Sequence, residues 1–326
     1  MTASSSPSPT ESDKNKVVTP PTGSDTPAIH TQDLAKKYGH VTALAGLTMT
    51  VPKGEVFGFL GPNGAGKTTS VKLLLGLTEP TAGQAWLLGA PIGDLAVRRR
   101  VGYLPELFRY QGFLTAREVL TFHCDLARVP RSERKEEIAE ALAIVGLSDR
   151  GDDRCGTFSK GMQQRLGLGV ALLGKPELIF LDEPTSALDP VGRHDVREIT
   201  RQLRERGTTV FLNSHLLTEV EMVCDRVAVV DHGRVIALGT IHDLLRGADI
   251  VRVRLTGLNG KLSQIEGFAA PSEDGEWITF RDVKEARVPD LVAEIVRLGG
   301  RVYAVEPQQQ SLEDRFLQLL EAEETK

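Results

Sequence analysis

Apolar positions in the first part of the chain fall into short runs separated by turn residues. Such runs at 29–34, 42–51 and 54–60 predict three strands, and order is expected to begin near residue 28. The third run is largely apolar and leads directly into a glycine-rich stretch, as in a strand buried on both faces. From 61 to about 245, helical periodicity alternates with short apolar runs. This alternation predicts an α/β fold with helices on a largely parallel sheet.

One stretch inside that region has a different pattern. Residues 107–157 show helical periodicity and no strand pattern. Thr115 and Glu118 have the spacing of a capping box that opens a helix. Further along, apolar residues recur at helical spacing: Ile138, Leu142 and Val145. We therefore expect a helical subdomain, about residues 107–175, inserted into the α/β core.

The pattern changes again after residue 247. The predicted elements, in the order β-β-α-β-α, are strands at 251–255 and 277–280, a helix at 289–298, a strand at 301–305 and a helix opened by Ser311 and Asp314. A small α+β domain over 247–326 is therefore expected after a main domain over 28–246.

The first 27 residues differ from both domains in composition. Six Ser, five Pro and five Thr occupy 16 of these 27 positions. A segment of this kind buries almost no apolar surface, so we expect a disordered tail. Such a tail is either a solvated extension without function or a regulatory or docking segment.

Charge and cysteine content exclude several classes of protein. The chain has 326 residues, with 39 Lys and Arg against 44 Asp and Glu, a net charge of −5. An acidic balance argues against a nucleic-acid partner. The three cysteines are far apart without a CxxC pair, which predicts neither a zinc site nor a disulfide framework and favours a reduced, cytosolic compartment. We expect neither a signal peptide nor a membrane span, because no apolar run approaches about 18 residues.

A glycine-rich motif follows the third predicted strand directly. It matches G-x-x-x-x-G-K-[ST] and consists of Gly61, Pro62, Asn63, Gly64, Ala65, Gly66, Lys67, Thr68 and Thr69. Glycines let backbone N–H groups turn inward around phosphate oxygens, and the following helix adds its positive dipole end. Lys67 is placed to reach the terminal phosphates, and Thr68 to offer its hydroxyl to Mg²⁺. The motif alone predicts a nucleotide site.

Two acids stand at the end of a second apolar strand, which begins at Leu178. The first, Asp182, is in the place where a P-loop fold brings a carboxylate near Mg²⁺. The second, Glu183, is expected to face the water that attacks the γ-phosphate. The alternative for Glu183 is an ordinary surface acid after a strand.

With these motifs, residues 28–245 resemble the nucleotide-binding subunits of ABC transporters. Tyr38 lies 29 residues before Lys67, where this family places an aromatic ring that stacks on adenine; an ordinary strand-end aromatic is the alternative. The resemblance implies a P-loop NTPase core of the ABC type. That core has an antiparallel β subdomain and the inserted helical subdomain, and the small C-terminal α+β domain follows it. ATP and Mg²⁺ are the implied cofactors.

A segment 23 residues before Asp182 resembles the signature of this family, Leu-Ser-Gly-Gly-Gln. Here it consists of Phe158, Ser159, Lys160, Gly161 and Met162, so Lys160 replaces the first glycine and Met162 the glutamine. We associate this variant with exporter-type subunits. The resemblance implies that the segment contacts the γ-phosphate held by the other subunit of a dimer. The alternative is a simple helix cap.

Three further positions match the family by their order along the chain. Asp189 closes a loop that resembles the one joining the two sites of a dimer, and His215 resembles the switch histidine that contacts the γ-phosphate. The family usually has Gln after Gly-Tyr-Leu-Pro, whereas this chain has Glu106. A carboxylate oxygen suits Mg²⁺ at least as well as an amide oxygen, so Glu106 stays a candidate metal ligand.

The resemblance implies a mechanism and two protein partners. Glu183 polarises the attacking water, His215 holds it, and two subunits, expected to be copies of this chain, sandwich two ATP molecules. The second partner is a transmembrane permease. Aromatic residues just past Glu106 are the expected lining of its docking groove, unless they pack locally: Phe108, Tyr110 and Phe113. The protein is then cytoplasmic and peripheral on the inner face of the cell membrane.

Three functional hypotheses share these core motifs. The C-terminal domain resembles the accessory tail of export subunits, which favours an exporter ATPase; an importer ATPase subunit is the first alternative. A soluble ABC ATPase that acts on ribosomes or DNA is the second. The single P-loop motif, the lack of a long heptad run and the acidic charge oppose that second alternative.

Overall fold

The computed structural model describes residues 26–186, 188–245, 249–258, 262, 265, 268, 272–274, 277–281, 283–309 and 311–324. The predicted tail 1–27 thus lies outside the described residues except for its last two positions. The predicted domain boundary at 246–247 also lies outside them. Among the described residues, no helix combines the length and the apolar character that crossing a membrane requires.

Strands and helices alternate through most of the chain. The strands are β1 (Ile29–Tyr38), β2 (Val41–Val51), β3 (Val56–Leu60), β4 (Ala82–Leu87), β5 (Ala90–Pro91), β6 (Val101–Leu104), β7 (Leu178–Asp182), β8 (Thr209–Asn213), β9 (Arg226–Asp231), β10 (Arg234–Thr240), β11 (Asp249–Thr256), β12 (Ser272–Asp274), β13 (Trp277–Phe280) and β14 (Arg301–Gln309). The α-helices are α1 (Lys67–Leu74), α2 (Leu95–Arg98), α3 (Ala116–Leu126), α4 (Arg134–Ile144), α5 (Lys160–Ala171), α6 (Pro190–Glu205), α7 (Leu217–Val223), α8 (Ile241–Leu245), α9 (Val288–Arg297) and α10 (Leu312–Glu324).

A six-stranded sheet forms the centre of the fold, in the order β10-β9-β3-β8-β7-β6. The pairs within β9-β3-β8-β7-β6 are all parallel, and only β10 pairs antiparallel, at one edge. β3, β7 and β8 are buried along their whole length, which explains why their sequences are apolar without alternation. The predicted α/β fold is confirmed, and the carboxyl ends of β3, β8, β7 and β6 meet at one edge.

An antiparallel sheet, β2-β1-β4-β5, packs against one face of the central sheet. Three buried phenylalanines of the central sheet form the middle of this interface. The ring centroid of Phe211 lies 5.2 Å from that of Phe59 and 5.1 Å from that of Phe180. This sheet is the antiparallel subdomain that the resemblance implies, and β2 brings its residues close to the loop after β3.

Helices α3, α4 and α5 pack against one another and share an apolar cluster with the other face of the central sheet. The predicted capping box opens α3: the Thr115 hydroxyl accepts the N–H of Glu118 at 3.1 Å, and the Glu118 carboxylate accepts the N–H of Thr115 at 2.8 Å. Outside these helices, an isolated bridge joins Thr115 to Arg154. The helices predicted in this stretch are confirmed.

A third sheet, β12-β13-β11-β14, carries α9 against one face around a small apolar cluster. The predicted order β-β-α-β-α omits β12, which is three residues long and too short to show a period in sequence. The last helix, α10, contacts α7, α8 and β10. Leu312 is 1% exposed there, and its N–H donates to Glu221 at 3.2 Å.

Candidate nucleotide-binding site

The loop between β3 and α1 is held so closely that glycine is required at both ends. A Cβ on Gly61 would lie 2.3 Å from the carbonyl oxygen of Val230, and one on Gly66 would lie 2.4 Å from that of Ala43. Gly66 also has a φ of +98°, in the left-handed region that glycine tolerates. The loop therefore exposes its backbone closely at both glycines, at the N-terminus of α1, which is the arrangement that binds phosphate.

Lys67, the first residue of α1, lies beneath this loop. Its ammonium donates to the carbonyl oxygens of Gly61 at 2.7 Å and Pro62 at 3.1 Å, and the residue is 8% exposed. Burial lowers the pKa of Lys67, while Glu183, Asp182 and Glu106 oppose that change. The loop is closed by the N–H of Ala65, which donates to Pro62 at 3.2 Å. Lys67 thus holds the loop in shape and supplies a cation to it.

A cavity of about 520 Å³ opens beside the loop. It is lined by the loop residues Asn63, Gly64, Gly66, Lys67, Thr68 and Thr69, and by Tyr38, Glu106, Glu183, Asn213 and His215 among others. The ring of Tyr38, at the end of β1, is 49% exposed and has the Lys36 ammonium 5.0 Å from its centroid. The structure therefore brings together the loop and most of the predicted residues from four strand ends.

The backbone at Glu183 has an uncommon conformation, with a φ of +51°. Few residues other than glycine adopt this region, and where they do so the position is often functional. The N–H of Glu183 donates to the carbonyl oxygen of Asn213 at 2.8 Å, and its carboxylate lies 2.7 Å from Nδ1 of His215. Burial raises the pKa of Glu183, and His215 opposes this. The turn aims the carboxylate at the cavity, beside the histidine.

Asp182, the last residue of β7, is 3% exposed and bonded to a residue that the sequence analysis did not select. Asn213 is its register partner on β8, and Nδ2 of Asn213 donates to Oδ1 of Asp182 at 2.5 Å. Burial raises the pKa of Asp182, the bond from Asn213 lowers it, and the charge of Glu106 raises it further. Glu106, two residues beyond β6, is thus close enough for its charge to act on Asp182.

The oxygen donors in this region suit Mg²⁺, which prefers hard oxygen ligands. Near the buried ammonium of Lys67 are two carboxylates, of Asp182 and Glu106, and the hydroxyl of the neighbouring residue Thr68. Among the described residues, no group of three or more His, Cys, Asp or Glu side chains is arranged to hold a metal ion by itself. This fits a Mg²⁺ that is bound through one or two carboxylates together with nucleotide phosphates.

The predicted signature residues do not line this cavity. Ser159 caps α5, with its hydroxyl accepting the N–H of Met162 at 3.3 Å, and Lys160 is exposed in the first turn. Gly161 has nothing but the Ser159 hydroxyl near its Cβ position. Asp189 caps α6 by accepting the N–H of Gly192 at 2.8 Å. Both helix starts therefore lie outside the lining of the chain's own cavity.

The aromatic residues past Glu106 behave in two ways. Phe108 and Tyr110 pack on the apolar cluster of the helical region, and their rings lie 5.3 Å apart; Phe113 is 69% exposed. A groove of about 620 Å³ lies beside them, and its walls include Tyr110, Phe122 and Val170. Phe108 and Tyr110 therefore both pack locally and line the groove, whereas Phe113 does not line it.

Comparison with known proteins gives a consistent answer. The ABC transporter family model matches residues 44–186. The chain is 40% identical over 317 residues to an uncharacterized ABC transporter ATP-binding protein of Nostoc sp., covering 93% of each chain. It is 35% identical over 293 residues to the Nod factor export ATP-binding protein I of Burkholderia orbicola, covering 88% of this chain and 95% of that protein.

Solved structures agree with these relatives. A structure of the ATP-binding subunit of an ABC transporter superposes with a TM-score of 0.61 at 31% identity. It covers 67% of this chain and 92% of that one. The superposition confirms the predicted P-loop core of the ABC type.

Proposed function

This chain belongs to the ATP-binding proteins of ABC transporters, and from that premise we propose that it hydrolyses ATP to power export through a separate membrane permease. The observation that carries hydrolysis is the pair formed by Glu183 and His215. The carboxylate and the imidazole are bonded at 2.7 Å and both line the cavity next to the phosphate loop. A protein that only binds nucleotide does not require a glutamate with a positive φ that is hydrogen-bonded to a histidine.

The chemistry needs positioning and charge neutralisation, without a covalent intermediate. Glu183 accepts a hydrogen bond from the attacking water and takes up its proton as the water oxygen bonds to the γ-phosphorus; the bond from this phosphorus to the β–γ bridging oxygen breaks, and ADP leaves. A carboxylate only accepts hydrogen bonds, so the Nδ1–H of His215 donates to Glu183, which leaves Nε2 as an acceptor for an O–H of the water. Lys67 faces the charge that develops on the transferred group. Mg²⁺ held by Thr68, Asp182 and Glu106 supplies further charge neutralisation when bound.

The complete site is formed by residues of two copies of this chain. The signature residues lie outside the cavity of their own subunit: Ser159, Lys160, Gly161 and Met162. In a dimer with twofold symmetry, these residues of one copy contact the nucleotide in the cavity of the other. The N-terminus of α5 then faces the γ-phosphate with its exposed N–H groups. Asp189 shapes the loop between the two sites through its bond to Gly192.

The second partner is a permease with an apolar cytoplasmic segment. The groove of the helical region and the exposed rings of Phe113 and Phe122 support this assignment, since aromatic residues commonly anchor protein interfaces. A permease partner of this kind implies that the protein lies in the cytoplasm, on the inner face of the membrane. Export is favoured over import by the C-terminal unit and by the Burkholderia relative, whose name describes Nod factor export.

Complementation between inactive subunits tests hydrolysis and dimerisation together. Lys67→Ala and Ser159→Arg are each expected to abolish ATPase activity in a pure dimer. A one-to-one mixture of the two forms heterodimers with one intact site, so activity returns to about a quarter of the wild-type value. Recovery near zero would refute a site shared between subunits. Normal turnover by the Ser159→Arg variant alone would refute the role of the signature segment.

Direction is tested after reconstitution with the permease in inverted membrane vesicles. An exporter accumulates a lipophilic fluorescent dye inside such vesicles when ATP is added outside. Stimulation of the ATPase by an extracytoplasmic binding protein, without dye accumulation, would instead support the importer alternative.

A further inference from the structure

Among the described residues that line the cavity outside the phosphate loop, β1 and β2, Asn213 is the one to which the proposed reaction gives no role. It is the last residue of β8 and is 1% exposed. Its side chain and its backbone hold one acid each: Nδ2 donates to Oδ1 of Asp182 at 2.5 Å, and its carbonyl oxygen accepts the N–H of Glu183 at 2.8 Å. Asn213 therefore joins the end of β8 to both carboxylates that follow β7.

The orientation of the Asn213 amide follows from its partner. An ionised carboxylate only accepts hydrogen bonds, so the –NH₂ group of the amide must be the end that faces Asp182. The amide oxygen Oδ1 then points away from this carboxylate. It is buried and has no hydrogen-bond partner among the described residues.

A buried acceptor without a donor destabilises the folded protein, so such a group next to a binding cavity points to a ligand that brings a donor. The triphosphate of ATP offers only acceptors at this end of the cavity. A water molecule offers donors, and a water bound to a cation is a strong one. Mg²⁺ usually keeps several waters when it binds through carboxylates and phosphates.

We propose that Asn213 is a positioning residue for Mg²⁺. Nδ2 holds the carboxylate of Asp182 in the orientation that the metal requires, and Oδ1 accepts a hydrogen bond from a metal-bound water. Residues that hydrogen-bond to metal ligands fix the orientation of those ligands, and their substitution typically weakens metal binding about 10–100-fold. The proposal rests on the proposed function only through the identity of the metal.

A purely structural role for Asn213 makes a different prediction. If the amide only fastens β8 to β7, its removal disturbs the edge of the sheet and weakens nucleotide binding with or without metal. A positioning role weakens binding of the metal alone. The two roles are therefore separated by measuring metal affinity and metal-free nucleotide affinity in the same variant.

The variant is Asn213→Leu, which keeps the size of the side chain and removes both polar groups. Mn²⁺ replaces Mg²⁺ as the probe, and its affinity is measured by electron paramagnetic resonance on the full chain with saturating AMPPNP. We expect Mn²⁺ binding to weaken about 10–100-fold. Binding of AMPPNP in EDTA is expected to stay within about twofold of wild type, because no phosphate contact is lost.

Thr209→Val is the matched control, at the other end of the same strand. Thr209 is also 1% exposed, and its hydroxyl accepts the N–H of Gly54 at 2.9 Å, so the variant loses one buried bond far from the cavity. Its Mn²⁺ affinity is expected to equal that of wild type. If Asn213→Leu is poorly folded, Asn213→Ser retains a small donor and acceptor and is expected to show a smaller loss of Mn²⁺ affinity.

Two results would overturn the proposal. Mn²⁺ affinity within twofold of wild type in both Asn213 variants would remove the positioning role. An equal loss of AMPPNP affinity in EDTA would assign Asn213 to the structure of the sheet. If wild-type protein binds Mn²⁺ with AMPPNP and yet hydrolyses no ATP, the proposed function fails, and the same comparison of variants still decides the role of Asn213.

Discussion

The two edges of the central sheet both carry carboxylates that are at least half-buried, but they surround them differently. At the carboxyl edge, Asp182 and Glu183 share the buried cation of Lys67, and Glu183 lines a cavity. At the amino edge, Asp225 pairs with Arg204 at 2.6 Å and also accepts the N–H of Val56 at 2.9 Å.

Partner cations distinguish the two edges. A buried carboxylate is expensive unless a cation and hydrogen bonds compensate for its lost hydration. The amino edge supplies an arginine for each acid, and Arg226 lies 3.9 Å from Glu55. The carboxyl edge has more acids than cations, a surplus that the proposed Mg²⁺ would neutralise. Acids that outnumber the nearby cations at a cavity are thus typical of a catalytic or binding site, whereas acids paired with arginines stabilise the fold.

The largest expected effect comes from Glu183→Gln at the carboxyl edge. The amide cannot take a proton from water, so kcat is expected to fall by about 10²–10⁴-fold while ATP still binds and holds the dimer closed. Single-turnover hydrolysis and size-exclusion chromatography with ATP measure both effects. Glu55→Gln at the amino edge is the control and should change kcat by less than about twofold, within the range of a substitution remote from chemistry. A Glu183→Gln protein with normal turnover would contradict the comparison.

Asp225→Ala is the corresponding change at the amino edge, and it should affect stability instead. Losing the carboxylate leaves the N–H of Val56 and the guanidinium of Arg204 without this partner. The free energy of unfolding, measured in urea, is expected to fall by about 1–3 kcal/mol, with kcat per folded molecule unchanged. Glu177→Gln removes an exposed ion pair with Arg100 and should cost at most about 1 kcal/mol. If the two variants lost the same free energy of unfolding, the lower exposure of Asp225 would not make its ion pair more stabilising than that of Glu177.

Glu106→Gln restores the residue usual for the family and tests whether the acid surplus itself is used. An amide oxygen can replace a carboxylate oxygen as a ligand, so kcat is expected to fall by less than about tenfold. Steady-state kinetics at several Mg²⁺ concentrations measures the change. A loss beyond about 100-fold, or about 2.7 kcal/mol, would show that the negative charge acts directly.

The smallest effect concerns pH and Glu55. Burial raises the pKa of Glu55 to about 7, above its ordinary value of 4.5. The folded protein therefore binds this proton more tightly than the unfolded chain does. The stability contributed by Glu55 is complete below about pH 4.5 and is lost as the pH rises through about 7.

Wild-type protein is accordingly expected to lose more stability between pH 5 and pH 8 than Glu55→Gln does, by urea unfolding at each pH. Identical slopes would mean that Glu55 keeps its ordinary pKa in the folded protein.

Sequence reasoning worked best where chemistry follows a strand directly. The phosphate loop, the acids after β7 and the histidine after β8 were all placed near one edge, because their motifs are contiguous and parallel strands end together. The resemblance to the family predicts Tyr38 at this site, and its side chain lines the cavity. The roles of all these residues remain predictions.

Features that depend on contacts between distant residues were not predictable. Asn213 ends an apolar strand and belongs to no motif, and its bond to Asp182 depends on the register of strands whose residues are 31 positions apart. The sequence does not decide whether Phe108 and Tyr110 pack locally or line an interface, because closely spaced aromatic residues show the same pattern in both cases. The contact of α10 with Glu221 spans 91 positions and has no local signal.

That last helix has a consequence for how the protein is handled. Leu312 shares its apolar cluster with Val56 and Leu60, so a segment far along the chain completes packing begun near the phosphate loop. Truncation before residue 311 uncovers α7, whose first residue stands two positions after His215. A fragment trimmed to the ATP-binding part is therefore expected to expose apolar surface close to its own site, which favours association between copies of the fragment.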